Sequence, residues 1–174
     1  SQTFTIAVTN VNDNAPDALQ AVSTAYGGLS LNEDGGNDAY LVADDGAAIL
    51  GGLASLTVEL QFASTDTTTA NPMVSYATVA SQDALLLDIL ADGSLQISIN
   101  NAPMLSTAFD YRTIEDGAAH ALAFTWENGS GNWQVFVDGV LVDSSGAGEE
   151  LAIAGTIDTG GTLFFRAQGG RKAF

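Results

Sequence analysis

Two Asp-Gly dipeptides, each set between short apolar runs, restrict the possible folds of this chain more than any other feature. Residues 85–90 lead into Asp92-Gly93 and out through residues 95–99. Residues 133–137 lead into Asp138-Gly139 and out through residues 140–142. A type I′ turn needs positive φ at both central residues and matches the twist of paired strands, so this arrangement predicts two antiparallel hairpins. Elsewhere the apolar period is two. Leu56, Val58, Leu60 and Phe62 alternate with Thr57, Glu59 and Gln61, the pattern of a half-buried strand. Residues 73–79, 120–127 and 162–165 add further strands rich in β-formers. No window keeps an i, i+3, i+4, i+7 apolar stripe over three turns, so helix is at most local. About ten to twelve short strands, spaced roughly 8–12 residues apart, predict an all-β chain folded as a two-sheet sandwich or a barrel.

Charge narrows the function classes. The 174 residues carry 21 acidic and four basic side chains, a net charge of −17. That field repels phosphate backbones and excludes nucleic acid as a partner. The longest uncharged stretches are strand-like and rich in Ser, Thr and Gly, so no transmembrane helix is expected. No basic segment followed by an apolar one resembles a secretion signal, which is expected to lie outside these residues. Cysteine is absent, which removes disulfides, thiol catalysis and cysteine-ligated zinc.

Both ends depart from the middle. Phe4, Ile6 and Val8 face away from Thr3, Thr5 and Thr9, and a polar run from Asn10 to Pro16 follows. Residues 1–9 therefore read as the last strand of an upstream domain, joined by a turn-rich linker. At the other end, Arg112 is the only basic residue in 1–165, whereas Arg166, Arg171 and Lys172 crowd into the last stretch. A shifted reading frame or appended sequence after about residue 165 is the leading expectation; a solvated basic tail is the alternative.

Two segments carry resemblances, to different families. Asn10-Val11-Asn12-Asp13-Asn14-Ala15-Pro16 resembles the junction that closes a cadherin repeat, usually Asp-x-Asn-Asp-Asn-Ala-Pro, with Asn10 in place of the usual Asp. Residues 17–165 resemble the laminin-G/pentraxin-like, concanavalin A-like jelly roll. The resemblance rests on Asp116-Gly117-Ala118-Ala119-His120-Ala121-Leu122-Ala123-Phe124-Thr125-Trp126, running on to Trp133-Gln134-Val135-Phe136-Val137-Asp138-Gly139. Supporting pieces are residues 56–62, Ser75-Tyr76-Ala77-Thr78 and Gly160-Gly161-Thr162-Leu163. It implies a two-sheet antiparallel jelly-roll sandwich. Family members continue into an acidic calcium loop and closing strands where this chain has residues 166–174, so the domain is expected to be incomplete at its C-terminal end. The division expected is 1–16, the end of a cadherin-like repeat; 17–165, the jelly roll; and 166–174, the anomalous tail.

The resemblances imply calcium. It takes six to eight oxygen ligands, and short Asp/Asn-rich loops supply them. Asn10, Asn12, Asp13 and Asn14 fit such a loop, although the acids that complete the shell in cadherins belong to the preceding repeat. With one carboxylate, an affinity of about 10⁻³ M or weaker is expected, and plain linker turns are the alternative. Asp83 aligns with a pentraxin calcium ligand, but the usual Asn neighbour is Ala84; otherwise Asp83 is a solvated loop acid. The acidic runs at residues 32–38 and at Asp44-Asp45 lack EF-hand spacing and read as turns.

Catalysis is not expected. A glycosidase needs two carboxylates facing one bond, and no strand carries acids at i, i+2, i+4; Glu149 and Glu150 are adjacent. The single histidine, His120, opens a strand and reads as structural rather than as part of a serine triad. Trp126 and Trp133 could stack on sugars, though Trp126 shares its face with Leu122 and Phe124 and reads as core. Asn128-Gly129-Ser130 is a formal glycosylation sequon. The reading is a non-catalytic adhesion or binding module, extracellular or at the cell surface, taking a glycan or an extracellular protein with calcium assistance. Its neighbours would be cadherin-like repeats of one large, membrane-anchored or secreted bacterial protein. The alternative is a structural spacer with a calcium-rigidified linker and no ligand of its own.

Overall fold

A computed structural model describes residues 40–43 and 46–166. Asn10, Asn12, Asp13 and Asn14, the acidic runs at 32–38 and 44–45, and residues 167–174 lie outside them. Ten strands are described: β1 (Tyr40–Ala43), β2 (Ser55–Phe62), β3 (Asn71–Ala77), β4 (Leu85–Ile89), β5 (Leu95–Ile99), β6 (Ala102–Ser106), β7 (His120–Glu127), β8 (Trp133–Val137), β9 (Val140–Ser144) and β10 (Thr162–Arg166). Among the described residues helix is limited to a short α1 (Gly46–Leu50) and a 3₁₀ turn over Tyr111–Ile114.

The strands form a six-stranded sheet, β1-β10-β3-β4-β5-β6, and a four-stranded sheet, β2-β7-β8-β9. Every pairing is antiparallel. The all-β, two-sheet expectation therefore holds. β10 is an interior strand, hydrogen-bonded to β1 on one side and to β3 on the other, so no bare edge lies there.

Period-two patterning puts one row of each strand between the sheets. Leu122, Phe124 and Trp126 of β7 and Val135 and Val137 of β8 are buried against Tyr76, Leu85, Leu87, Ile89, Leu95, Ile97 and Ile99 of the opposite sheet. Full burial of one such side chain contributes about 1.5–3 kcal/mol. The strand expected over residues 73–79 lies two residues earlier, because Val79 belongs to a turn and is fully exposed.

The two Asp-Gly signals behave differently. At β8–β9 both Asp138 (φ 50°) and Gly139 (φ 78°) take positive φ, as a type I′ turn requires. At β4–β5 only Gly93 does (φ 88°). There Gly93 N donates to Leu90 O at 3.0 Å and Leu90 N to Ser94 O at 2.8 Å, a longer loop with glycine at its left-handed position. The Asp92 carboxylate instead accepts from Ser94 N (3.0 Å) and Ser94 Oγ (2.6 Å), holding Asp92 out of the left-handed region. A second two-residue turn with both φ values positive appears at Asn100 (φ 48°) and Asn101 (φ 62°), between β5 and β6.

One polar link crosses the sandwich, and a second ties the 3₁₀ turn to β3 and to the β2–β3 loop. Ser106 Oγ of β6 donates to Asp143 Oδ2 of β9 at 2.6 Å and shares a 2.6 Å hydrogen bond with Tyr111 OH. Burial is the main reason the Tyr111 phenol is pushed up to about 12. The buried Glu115 carboxylate accepts from Arg112 Nη1 and from Asn71 Nδ2, while Arg112 also donates to the carbonyls of Asp66 and Thr69. The one basic residue in 1–165 thus neutralises a buried acid and pins the β2–β3 loop.

Candidate functional site

The outward rows of the four-stranded sheet carry a different chemistry from the buried ones. Residues opposite one another in antiparallel strands share a face. Thr57 of β2 lies opposite Thr125 of β7, Thr125 opposite Gln134 of β8, and Gln134 opposite Ser144 of β9. One uncharged polar row therefore crosses all four strands. No hydrogen bond among the described residues takes up the side-chain polar groups of these four. The next row on the same face is Glu59, Ala123, Phe136 and Leu141. Phe136 is half-buried and Leu141 exposed. A bulge between Val135 and Phe136 leaves Val142 as the extra residue of β9 and brings Leu141 beside Phe136.

An open groove of about 650 Å³ lies over the first row, lined by Ser55, Leu56, Thr57, Thr125, Trp126, Glu127, Asn132, Trp133, Gln134, Ser144 and Ser145. Its one charged lining residue, Glu127, is committed elsewhere. That carboxylate accepts from Ser130 Oγ (2.6 Å), Ser130 N (2.8 Å) and Gly129 N (2.6 Å). The Ser130 side-chain hydrogen bond, with the backbone bonds behind it, holds Glu127 below the usual carboxylate range. At neutral pH the groove therefore offers hydroxyls, amides and one ionised, already solvated carboxylate.

The tryptophans do not serve as a stacking surface. Trp126 and Trp133 are opposite one another and only 2% and 3% exposed. Their indole N–H groups donate to Leu151 O (2.6 Å) and Glu149 O (2.7 Å), tying the loop after β9 to the sheet. Trp126 is core, as its shared face with Leu122 and Phe124 predicts, and Trp133 is buried as well. The aromatic ring on the outer face is Phe136, which sequence reading did not single out, although the same alternation that places Val135 inward places Phe136 outward. Gln134 and Thr125 were legible by the same rule.

The remaining sequence candidates are scattered. Asp83 is half-buried beside the β5–β6 turn: its N–H donates to Asn101 Oδ1 and its C=O accepts from Asn101 N, both at 3.0 Å. Among the described residues no group of three acidic or histidine side chains is placed to hold a metal ion. Asn10, Asn12, Asp13 and Asn14 lie outside the described residues.

His120 sits between two acids, with Nδ1 at 2.8 Å from Asp138 Oδ2 and Nε2 at 3.2 Å from Asp116 Oδ1. The Asp138 hydrogen bond, then that of Asp116, raises the imidazole pKa. Both carboxylates are held low, Asp116 chiefly by the Ala118 amide and Asp138 chiefly by the Ala121 amide. Asn128 of the sequon uses both ends of its amide, Nδ2 to Gly155 O (2.7 Å) and Oδ1 from Ile153 N (2.8 Å). Glu149 and Glu150 lie in a loop and accept from the Gly146 and Gly148 amides respectively.

The sequence model of the Laminin_G_3 family, described as the concanavalin A-like lectin/glucanases superfamily, matches residues 34–173. Among solved structures, a native heptameric SAP-like pentraxin from Limulus polyphemus is 20% identical with a TM-score of 0.54; the match covers 67% of this chain and 53% of the pentraxin. The CBM40 of the Ruminococcus gnavus IT-sialidase, bound to α2,3 sialyllactose, is 12% identical with a TM-score of 0.54, covering 74% of this chain and 73% of that one. Domains LG4-5 of the mouse laminin α1 chain are 20% identical with a TM-score of 0.51, covering 76% of this chain and 32% of that one. This chain thus spans about half the length of the pentraxin it matches, and at these identities the likeness is one of fold. Among the described residues no helix is long and apolar enough to cross a membrane.

Proposed function

Because the chain belongs to the Laminin_G_3 family of the concanavalin A-like lectin/glucanases superfamily, we propose that it is a non-catalytic binding module whose ligand, a glycan, lies in the groove on the four-stranded sheet. The observation that carries this reading is the row Thr57, Thr125, Gln134 and Ser144: four uncharged polar side chains, aligned across the sheet, with no internal hydrogen bond among the described residues. Hydroxyls and amides match the donors and acceptors of sugar hydroxyls, and orienting polar groups of this kind are what a binding site needs. A non-catalytic role is supported by the engagement of Glu127, because hydrolysis needs two carboxylates converging on one bond. A sialyllactose-bound CBM40 of the same fold supports glycan as the ligand class.

Adhesion outside the cell, beside cadherin-like repeats, belongs to the same proposal and rests on the cadherin-like linker. Calcium assistance is part of the proposal as well, resting on the oxygen-rich Asn10, Asn12, Asp13 and Asn14 of that linker and on Asp83. The test is glycan-array binding by wild type and by Gln134→Ala. Binding that Gln134→Ala weakens about tenfold, the loss expected for one or two hydrogen bonds, supports the reading. Array binding untouched by the substitution, or no binding at all, overturns it. Calcium titration of the melting temperature separates the spacer alternative, in which calcium stabilises and no glycan binds.

A further inference from the structure

Among the described residues, the four-stranded sheet is polar on its outer face and carries no lysine or arginine on any of its strands. Lysine and arginine number four in the chain, and none belongs to β2, β7, β8 or β9; the one histidine, His120 at the start of β7, is held between Asp116 and Asp138. Arg112 is engaged with Glu115 inside the fold. The face does carry acids: Glu127 lines the groove, and Glu59 stands in the adjacent row. A sialic acid, uronate or sulfate is recognised by charge-assisted hydrogen bonds from Arg or Lys. Here it would meet two carboxylates and a net charge of −17, a repulsion that also slows its approach.

The dimensions add a second restriction. The polar row crosses three inter-strand gaps, about 14 Å in all at the usual strand spacing. That is longer than one sugar ring. Phe136 lies two residues beyond Gln134 along β8, about 7 Å away and on the same face. It is flanked by the methyl of Ala123 on one side and the exposed Leu141 on the other. A ring lodged there would set its apolar C–H face on Phe136 and its hydroxyls on the polar row.

Resting on the reading above, we infer that the groove selects an uncharged oligosaccharide of more than one ring, laid across the strands with one ring on Phe136, and rejects sialylated, uronate-containing and sulfated chains. The inference differs in ligand class from the sialyllactose held by the CBM40 of the same fold.

The experiment uses the whole chain in calorimetric titrations with matched neutral and acidic oligosaccharides, from mono- to tetrasaccharides, with and without chelator. The expected result is affinity that rises with the number of rings, a preference of about tenfold or more for neutral over acidic partners, and narrowing of that gap in Glu59→Lys. Phe136→Ser is expected to lose about tenfold for neutral ligands while circular dichroism shows it folded. Equal or stronger binding of acidic glycans, weakened by Gln134→Ala, overturns the selectivity and leaves the groove reading standing. Binding to no glycan, or binding indifferent to Gln134→Ala and Phe136→Ser, overturns both.

Discussion

Ser106 on β6 and Asp143 on β9 are joined by a 2.6 Å hydrogen bond between the two sheets, in a place where strand neighbours are otherwise apolar. Tyr111 completes the link from the 3₁₀ turn, sharing its hydroxyl with Ser106 at 2.6 Å. The three hydroxyl and carboxyl groups satisfy one another, as buried polar networks must.

Ser106→Ala removes the middle of that network, leaving the Tyr111 phenol without its partner and the Asp143 carboxylate with only the Ala108 and Ser144 amides. We expect a loss of about 1–3 kcal/mol, read from urea unfolding, with Asp143→Asn costing less because an amide oxygen still accepts. A cost near zero for Ser106→Ala would show that the network is incidental.

The Tyr111 phenol, raised by burial to about 12, makes stability fall at alkaline pH. Because its folded value lies above the ordinary value of 10.0, the stabilisation is complete below pH 10 and is lost as pH rises toward 12. Unfolding followed across that window is expected to show this loss, and Tyr111→Phe to remove that share of it.

His120 works in the same sense at lower pH. Asp138 and Asp116 raise its pKa above 6.5, so its stabilising contribution is present below pH 6.5 and fades as pH rises through the folded value. The two acids, held below 3.8, contribute above that pH and lose their contribution as pH falls through their folded values. Nuclear magnetic resonance of the imidazole should give a midpoint above 6.5, and His120→Gln should flatten the stability profile near neutrality. A midpoint at or below 6.5 would contradict the observed pairing.

Asn128 links its own loop to residues 153 and 155 through both ends of its amide. Asn128→Asp keeps the acceptor and removes the donor, and Asn128→Ala removes both. The expected order of stability is wild type, then Asp, then Ala, with a total loss of about 1–3 kcal/mol in thermal melts. The same engagement leaves Nδ2 poorly placed to carry a glycan in the folded chain.

The sheets were readable from residue spacing because period two is a local property. Leu122, Phe124 and Trp126 fall on one face without knowledge of what covers them. The type I′ turn at Asp138-Gly139 was readable for the same reason. Its twin at Asp92-Gly93 was misjudged because Ser94, one residue further on, captures the Asp92 carboxylate and changes the turn. The groove was illegible as a whole. Thr57 and Ser144 are 87 positions apart, and only the register through Thr125 and Gln134 makes them neighbours. Nor does spacing reveal that the Trp133 indole N–H has a backbone partner 16 residues away, which ties the ring into the fold.

The alternation along β7 and β8 has an evolutionary consequence. Trp126 and Trp133 serve the interior, while Thr125 and Gln134, the adjacent residues, serve the solvent face. Substitutions at the second pair leave the packed layer untouched, so a descendant can change the chemistry of this outer face without first acquiring a compensating repair. A slip of a single residue in this pairing would exchange the two roles and destroy both at once, making the alignment of β7 with β8 the least negotiable inheritance of the lineage.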